Sequence, residues 1–214
     1  MEKIGVEMVS RRAIFIILFL LFSAFGLFIL QTDQLTAFRM LTRWHSSAGN
    51  IFFRGVTFLG DGLFIIGLAI VFIFLKKYQW ATGVIVGYLL SGLFAQFAKK
   101  ILNRPRPKAV FEAIGQKVYE VPGVDVHLHG SFPSGHTASA FALAIFMLLV
   151  MPFRWYGWLL LVVACGVGYS RLYLSQHFPE DVWAGALIGT FSGLLVAAWL
   201  NRYQQKNPNS KWLR

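Results

Sequence analysis

Six apolar stretches, most of them close to twenty residues long, alternate with short polar breaks along this chain. They run over roughly 12–30, 55–75, 80–98, 135–151, 155–174 and 182–200. A helix needs about 20 mostly apolar residues to cross a bilayer. The pattern therefore predicts an all-α fold, a bundle of six transmembrane helices forming one domain over residues 1–214. Lys76-Lys77, Pro152 with Arg154, and Asn201-Arg202 punctuate the runs. The first run follows Arg11-Arg12, as the core of a secretory signal would. It lacks a clear small-residue cleavage site before Gln31, so it is expected to stay as a helix.

Two longer segments break the rhythm. In Asp33–Arg54, Phe38, Leu41 and Trp44-His45 recur at near-helical spacing opposite Arg39 and Arg43. That suits a helix lying in the headgroup plane, and a plain polar linker is the alternative. From Lys99 to Phe132 the chain carries Pro105, Pro107, Pro122 and several glycines, which predicts an irregular connection. Long connections of this kind are often functional.

Composition strengthens the membrane reading. Of 214 residues 57% are hydrophobic and 14% charged, where a soluble domain carries about a quarter charged. The net charge of +11 sits in short basic clusters between apolar runs, which suits anionic headgroups and argues against nucleic acid as a partner. Cys165 is the single cysteine, so neither an intramolecular disulfide nor a thiolate metal site is expected.

The candidate chemistry lies at the ends of the predicted helices. Lys99 ends the third run and Arg106 follows it. Ser134, Gly135 and His136 open the fourth, Arg171 ends the fifth, and His177 and Asp181 precede the sixth. Alternating helices bring all of these to one face. An arginine at mid-membrane costs about 2.5–3.5 kcal/mol on insertion scales, less near the interface, so Arg171 calls for a reason. A phosphate supplies one: Arg106 and Arg171 can each offer two parallel donors, and Lys99 a point charge. Ser134 stands where an N-cap would, leaving the free N–H groups from Gly135 onward for an anion. Gly135 has no side chain to hold a phosphate away. A neutral imidazole at His177 can attack phosphorus, with Asp181 accepting from its other nitrogen. His136 can protonate the leaving oxygen and then activate water. None of these roles needs a metal or other cofactor.

Other residues carry weaker signals. Asp61, in Gly60-Asp61-Gly62, and Arg104 are accessory candidates. Asp61 could orient a basic residue or cap a helix, and Arg104 could reach a second phosphate or a headgroup. His127 and His129 read as exposed loop histidines ahead of a metal pair. Trp155, Tyr156 and Trp158 suit an interfacial aromatic belt.

In order and spacing the three segments resemble the signature of the type 2 phosphatidic acid phosphatase family. Lys99 with Arg106-Pro107, then Pro133-Ser134-Gly135-His136, then Ser170-Arg171 with His177 and Asp181, match every fixed position. The resemblance implies a six-helix membrane fold, a phosphohistidine at His177, no metal requirement, and an extracytoplasmic site with 99–134 as its catalytic loop. The expected activity is hydrolysis of a lipid phosphate. The candidates are undecaprenyl pyrophosphate, phosphatidic acid, phosphatidylglycerol phosphate and the phosphates of lipid A. Extra charge at Arg104 or Lys108 would suit a diphosphate. The partners expected are this substrate and membrane lipids, with no obligate protein partner. A phosphotransferase with the same intermediate is the alternative. A transporter would need ionisable groups at mid-membrane, and here they cluster at span ends.

Six spans put both termini on one side. Lysine and arginine counts tie between the two faces. Discounting Lys99, Arg106 and Arg171 as chemical tips the balance toward cytoplasmic termini in the inner (plasma) membrane.

Overall fold

The computed structural model describes residues 2–151 and 156–207, with 2–15 and 156–157 by backbone alone. Nine helices are seen among them: α1 (Glu2–Gln31), α2 (Gln34–Leu41), α3 (Ser47–Phe58), α4 (Gly62–Phe74), α5 (Tyr78–Leu102), α6 (Pro107–Ala113), α7 (Gly135–Val150), α8 (Tyr156–Tyr173) and α9 (Pro179–Lys206). No strand occurs among the described residues, and a lone bridge pairs Pro105 with His129.

α7 is the centre of the bundle. Its residues from Thr137 to Leu148 are buried almost without interruption, and it packs against α9, α5 and α8. Apolar burial drives little association where lipid tails are equally apolar, so close backbone packing has to hold such helices together. Gly185, Gly189 and Gly193 supply it, one per turn of α9. A Cβ on Gly189 would stand 2.3 Å from the Ala138 carbonyl oxygen, and one on Gly185 2.5 Å from that of Ser134. This contact seats the start of α7 directly on the start of α9, where the Ser134 N–H donates to the Asp181 carbonyl at 2.9 Å.

The second predicted run is not one straight helix. α3 and α4 meet at a 55° bend around Gly60-Asp61. Two glycines flanking an aspartate disfavour helix on either side, and Asp61 starts a new one. Its Oδ1 accepts from the Leu63 N–H at 2.8 Å as the N-cap of α4.

Asp33–Arg54 holds α2, ended earlier than its spacing suggests, and the start of α3, which begins at Ser47, ahead of the apolar run at 55. Asp33 caps α2 by accepting from Leu35 and Thr36 N–H groups at 3.0 and 3.1 Å. α2 stops at Leu41, so Trp44 and His45 lie in the following loop. Phe38 packs its ring 5.6 Å from Phe111 and 5.5 Å from Phe178, which fastens α2 to the long connection and to the start of α9. That connection is irregular apart from the seven-residue α6. The Arg106 N–H to Leu128 carbonyl bond at 2.8 Å and the Ser131 N–H to Arg104 carbonyl bond at 3.0 Å fold it back on itself.

Among the described residues two helices, α5 and α9, are long and apolar enough to cross a bilayer, and the bent pair α3–α4 makes a third if taken as one span. Ile16–Gln31, Gly135–Val150 and Trp158–Tyr173 are apolar but shorter. At 1.5 Å per residue, the 16 residues of α7 cover about 24 Å, less than a hydrocarbon core of about 30 Å. Large apolar side chains point outward along the bundle, among them Phe19, Leu63, Phe74, Leu93 and Phe97. Trp155, of the expected aromatic belt, lies outside the described residues, as do Arg154, Lys211 and Arg214 of the charge count.

Candidate active site

Helix ends converge on a cavity of about 430 Å³. Lys99 reaches it from the last turn of α5, Gly135 and His136 from the first turn of α7, and Arg171 from the last turn of α8. Arg106, which precedes α6, and His177, in the turn between α8 and α9, complete the ring. Asp61 also lines the wall. Ser134 and Asp181 stand behind it, fully buried.

The two arginines are held by neutral oxygens. Arg106 Nε donates to the His129 carbonyl at 3.0 Å, and its Nη1 to Gln176 Oε1 at 2.6 Å. Gln176 is fixed in turn, donating from Nε2 to the Asp125 carbonyl at 2.8 Å. Arg171 Nη1 donates to Thr57 Oγ1 at 2.7 Å, and its buried Nε has no partner. Among the described residues none of Lys99, Arg106 and Arg171 is ion-paired with a carboxylate. Asp61 and Asp125 line the same cavity, so its three unpaired cations leave the lining net positive, which suits an anion.

His177 and Asp181 form the buried part. Asp181 Oδ2 accepts from Ser131 Oγ at 2.5 Å and from the Phe178 N–H at 2.8 Å, so the carboxylate also caps α9. His177 Nδ1 lies 3.5 Å from the same oxygen and makes no shorter polar contact. Burial, then the charges of Arg171 and Arg106, push the His177 imidazole from its ordinary 6.5 down to about 3, against the pull of Asp181. The ring is therefore neutral at physiological pH, as a nucleophile must be.

Ser134 behaves as a cap. Its Oγ accepts from Thr137 Oγ1 at 2.8 Å and from the Thr137 N–H at 3.4 Å, which leaves its own O–H free to donate. Gly135 borders open space: a Cβ there would meet no atom within 4 Å. Arg104 faces elsewhere, with Nη1 3.3 Å from Glu180 Oε1 and its guanidinium over the Phe132 ring. Lys108 is 2.9 Å from Glu120 Oε2. His127 lines the cavity, whereas His129 contributes its carbonyl to Arg106.

The supports Gln176, Thr57 and Ser131 were not singled out from the sequence. Gln176 adjoins His177, which is the one positional hint; Thr57 and Ser131 give none.

A family model, the PAP2 superfamily, matches residues 80–205, a stretch that contains all three motifs. The chain belongs to the PAP2 superfamily. Relatives of this PAP2 chain include a lipid A 4'-phosphatase of Bacteroides thetaiotaomicron, 36% identical over 134 residues, covering 59% of each chain. A lipid phosphate phosphatase 1 of Arabidopsis thaliana is 34% identical, covering 59% of this chain and 45% of the relative. The chain thus spans about half the length of the curated relatives it matches. The crystal structure of Aquifex aeolicus LpxE superposes with a TM-score of 0.64 at 28% identity, over 77% of this chain and 94% of that one. The crystal structure of a PAP2 type phosphatidylglycerolphosphate phosphatase from Bacillus subtilis gives 0.66 at 23% identity, over 87% and 96%, a likeness of fold. With its outward apolar surface and its long apolar helices, this PAP2 chain is an integral membrane protein.

Proposed function

We propose that this PAP2 chain removes the terminal phosphate of a membrane lipid through a phosphohistidine on His177. The observation that carries this reading is a neutral, buried imidazole facing one cavity with three cations that, among the described residues, make no ion pair with a carboxylate.

The steps follow from the positions. The phosphate enters among Lys99, Arg106 and Arg171, against the free N–H groups at the start of α7, which Ser134 holds in place as its cap. Arg106 and Arg171 are already oriented by Gln176 and Thr57, so little reorganisation is needed as charge develops. The free His177 nitrogen, Nε2, attacks phosphorus and the bond to the leaving oxygen breaks, with His136 supplying the proton. Asp181 steadies the positive ring that forms. Water then attacks the phosphohistidine while His136 takes its proton back, and the phosphorus–nitrogen electrons return to His177.

Arg104 and Lys108, the extra charges that would suit a diphosphate, are engaged with Glu180 and Glu120 and do not line the cavity. That favours a phosphate monoester, and the lipid A phosphatase among the relatives makes a lipid A phosphate the first substrate to try. The bilayer holds the lipid tail, with six spans, cytoplasmic termini and an outward-facing site in the inner membrane. No metal takes part.

The test is phosphate release from lipid A, phosphatidic acid, phosphatidylglycerol phosphate and undecaprenyl pyrophosphate by purified wild type and His177→Ala. Release by the wild type and its loss in the variant are expected. Equal release by both would remove the nucleophile from His177, and dependence on added Mg²⁺ would oppose the metal-free steps. A reporter fused after Arg214 is expected on the cytoplasmic side.

A further inference from the structure

We propose that Asp61 is a positioning residue for the general acid, holding His136 by Nε2 so that Nδ1 serves first the leaving oxygen and then the attacking water. The proposal rests on the phosphohistidine reading above and deepens it.

The placement begins with the break in the second apolar run. Asp61 Oδ2 lies 3.6 Å from His136 Nε2, across the gap between α4 and α7. Its Oδ1 is committed to the Leu63 N–H, which fixes where the second oxygen can be. The turn is wedged on both sides. A Cβ on Gly60 would stand 2.6 Å from the His136 carbonyl oxygen, and one on Gly62 2.3 Å from the Tyr88 hydroxyl. Side chains at either position would push the carboxylate out of reach. A cap alone asks for neither contact.

The charge around His136 gives the carboxylate its purpose. Lys99 from α5, Arg106 from the segment before α6 and Arg171 from α8 all bear on this ring as positive charges. A general acid must carry a proton when substrate is bound, and three cations oppose one. Asp61 is the carboxylate that favours it, from the α4 side. With Nε2–H directed to Asp61, the proton in flight is on Nδ1. Nδ1–H passes its proton to the departing oxygen as the His177 nitrogen–phosphorus bond forms and the phosphorus–oxygen bond breaks. In the second half Nδ1 takes a proton from water as that water's oxygen bonds to phosphorus. The electron pair of the phosphorus–nitrogen bond returns to His177, and Nε2–H stays with Asp61 throughout.

The test separates charge from cap. Asp61→Asn and Asp61→Ser both keep a side-chain oxygen for the Leu63 N–H, and neither carries the charge. Wild type, both variants and His136→Gln are compared on a long-chain alkyl phosphate and on p-nitrophenyl phosphate, whose leaving group departs without a proton. On the alkyl phosphate kcat is expected to fall about ten- to a hundredfold with KM held within about twofold, part of the roughly 10²–10⁴ that acid–base catalysis supplies. The pre-steady-state burst of p-nitrophenol is expected to stay within about threefold of wild type, since bond breaking there needs no acid. In a His136→Gln background the Asp61 change is expected to add nothing. Equal loss on both substrates, a change in KM alone, full loss on top of His136→Gln, or wild-type kcat would each overturn the proposal while leaving the phosphatase reading in place. A wild type that releases phosphate from neither substrate would overturn both.

Discussion

His177 lies 3.5 Å from Asp181 and His136 lies 3.6 Å from Asp61, yet the first pair is 2% and 1% exposed and the second 33% and 36%. Both sets of side chains serve one cavity, and their surroundings part them. Asp181 has two donors besides the histidine, Ser131 and the Phe178 N–H, and a helix start to cap. It is a fixed, dry charge. Asp61 sits in a turn at the cavity wall, where water reaches both it and His136. A nucleophile that becomes covalent gains from a dry seat that keeps it neutral. A group that gives and retakes a proton needs exchange with the medium. On the proposed mechanism, one residue type takes two roles because burial differs.

The largest effect expected from breaking this contrast is at the buried pair. His177→Gln removes the attacking nitrogen and is expected to cut turnover by about 10⁴-fold or more, with no acid-labile phosphoenzyme after mixing with labelled substrate. His136→Gln is expected to cost about 10²–10⁴ on an alkyl phosphate and to leave the phosphoenzyme detectable when p-nitrophenyl phosphate is the donor. If His136→Gln abolished phosphoenzyme from the activated donor while His177→Gln kept it, the two roles would be exchanged.

The dry seat has a pH signature. The unfolded chain takes up a proton on this histidine as pH falls through 6.5, whereas the folded protein holds it neutral down to about 3. The unfolded state therefore binds more protons across that window, and stability falls as pH drops from 6.5 toward 3. Above 6.5 both states are neutral at His177 and the contribution is flat. Thermal unfolding in detergent is expected to show a shallower acid slope for His177→Gln than for wild type. An identical slope would mean that His177 takes up its proton in the folded state as readily as in the unfolded chain.

Next in size is the anion seat between the two pairs. A methyl on Gly135 meets no protein atom within 4 Å, so Gly135→Ala is expected to fold with unchanged Tm. The methyl would occupy space beside the first N–H groups of α7, and KM is expected to rise about tenfold, near 1.4 kcal/mol of binding. Gly189→Ala is the control, because its methyl would strike the Ala138 carbonyl at 2.3 Å and lower Tm.

The site was legible from the sequence to the extent that its residues were costly. Lys99, Arg106, Arg171, His177 and Asp181 stand out because charge at the edge of an apolar run needs a reason. Ser134 and Gly135 stood out by motif and helix-start chemistry. Gln176, Thr57 and Ser131 escaped because a neutral polar residue in a loop or helix is unremarkable until the chain folds. Each then orients one charged group: Arg106, Arg171 and Asp181. The apolar runs likewise located the helices, but hydropathy could not show that 55–75 bends at Gly60-Asp61. An amphipathic reading of Asp33–Arg54 found α2 but carried it past Leu41, because Trp44 and His45 keep the spacing while His45 instead bonds the Tyr173 carbonyl at 3.0 Å. What lies between motifs is decided by tertiary contacts, and spacing does not encode them.

The smallest effect expected marks the outer limit of the site. Arg104 is two residues from Arg106, and its partner Glu180 is one residue from Asp181, yet the pair stands outside the cavity. The Arg104 side chain is 48% exposed, so its ion pair contributes about 0–1 kcal/mol. Arg104→Ala is therefore expected to leave kcat/KM for a phosphate monoester within about twofold, near 0.4 kcal/mol. Run beside it, undecaprenyl pyrophosphate decides whether the pair opens for a second phosphate. If Arg104 releases Glu180 to bind one, the variant loses about tenfold on the diphosphate and nothing on the monoester. Equal, near-neutral behaviour on both substrates confines the anion seat to Lys99, Arg106 and Arg171, the three cations that the buried and the wet histidine share.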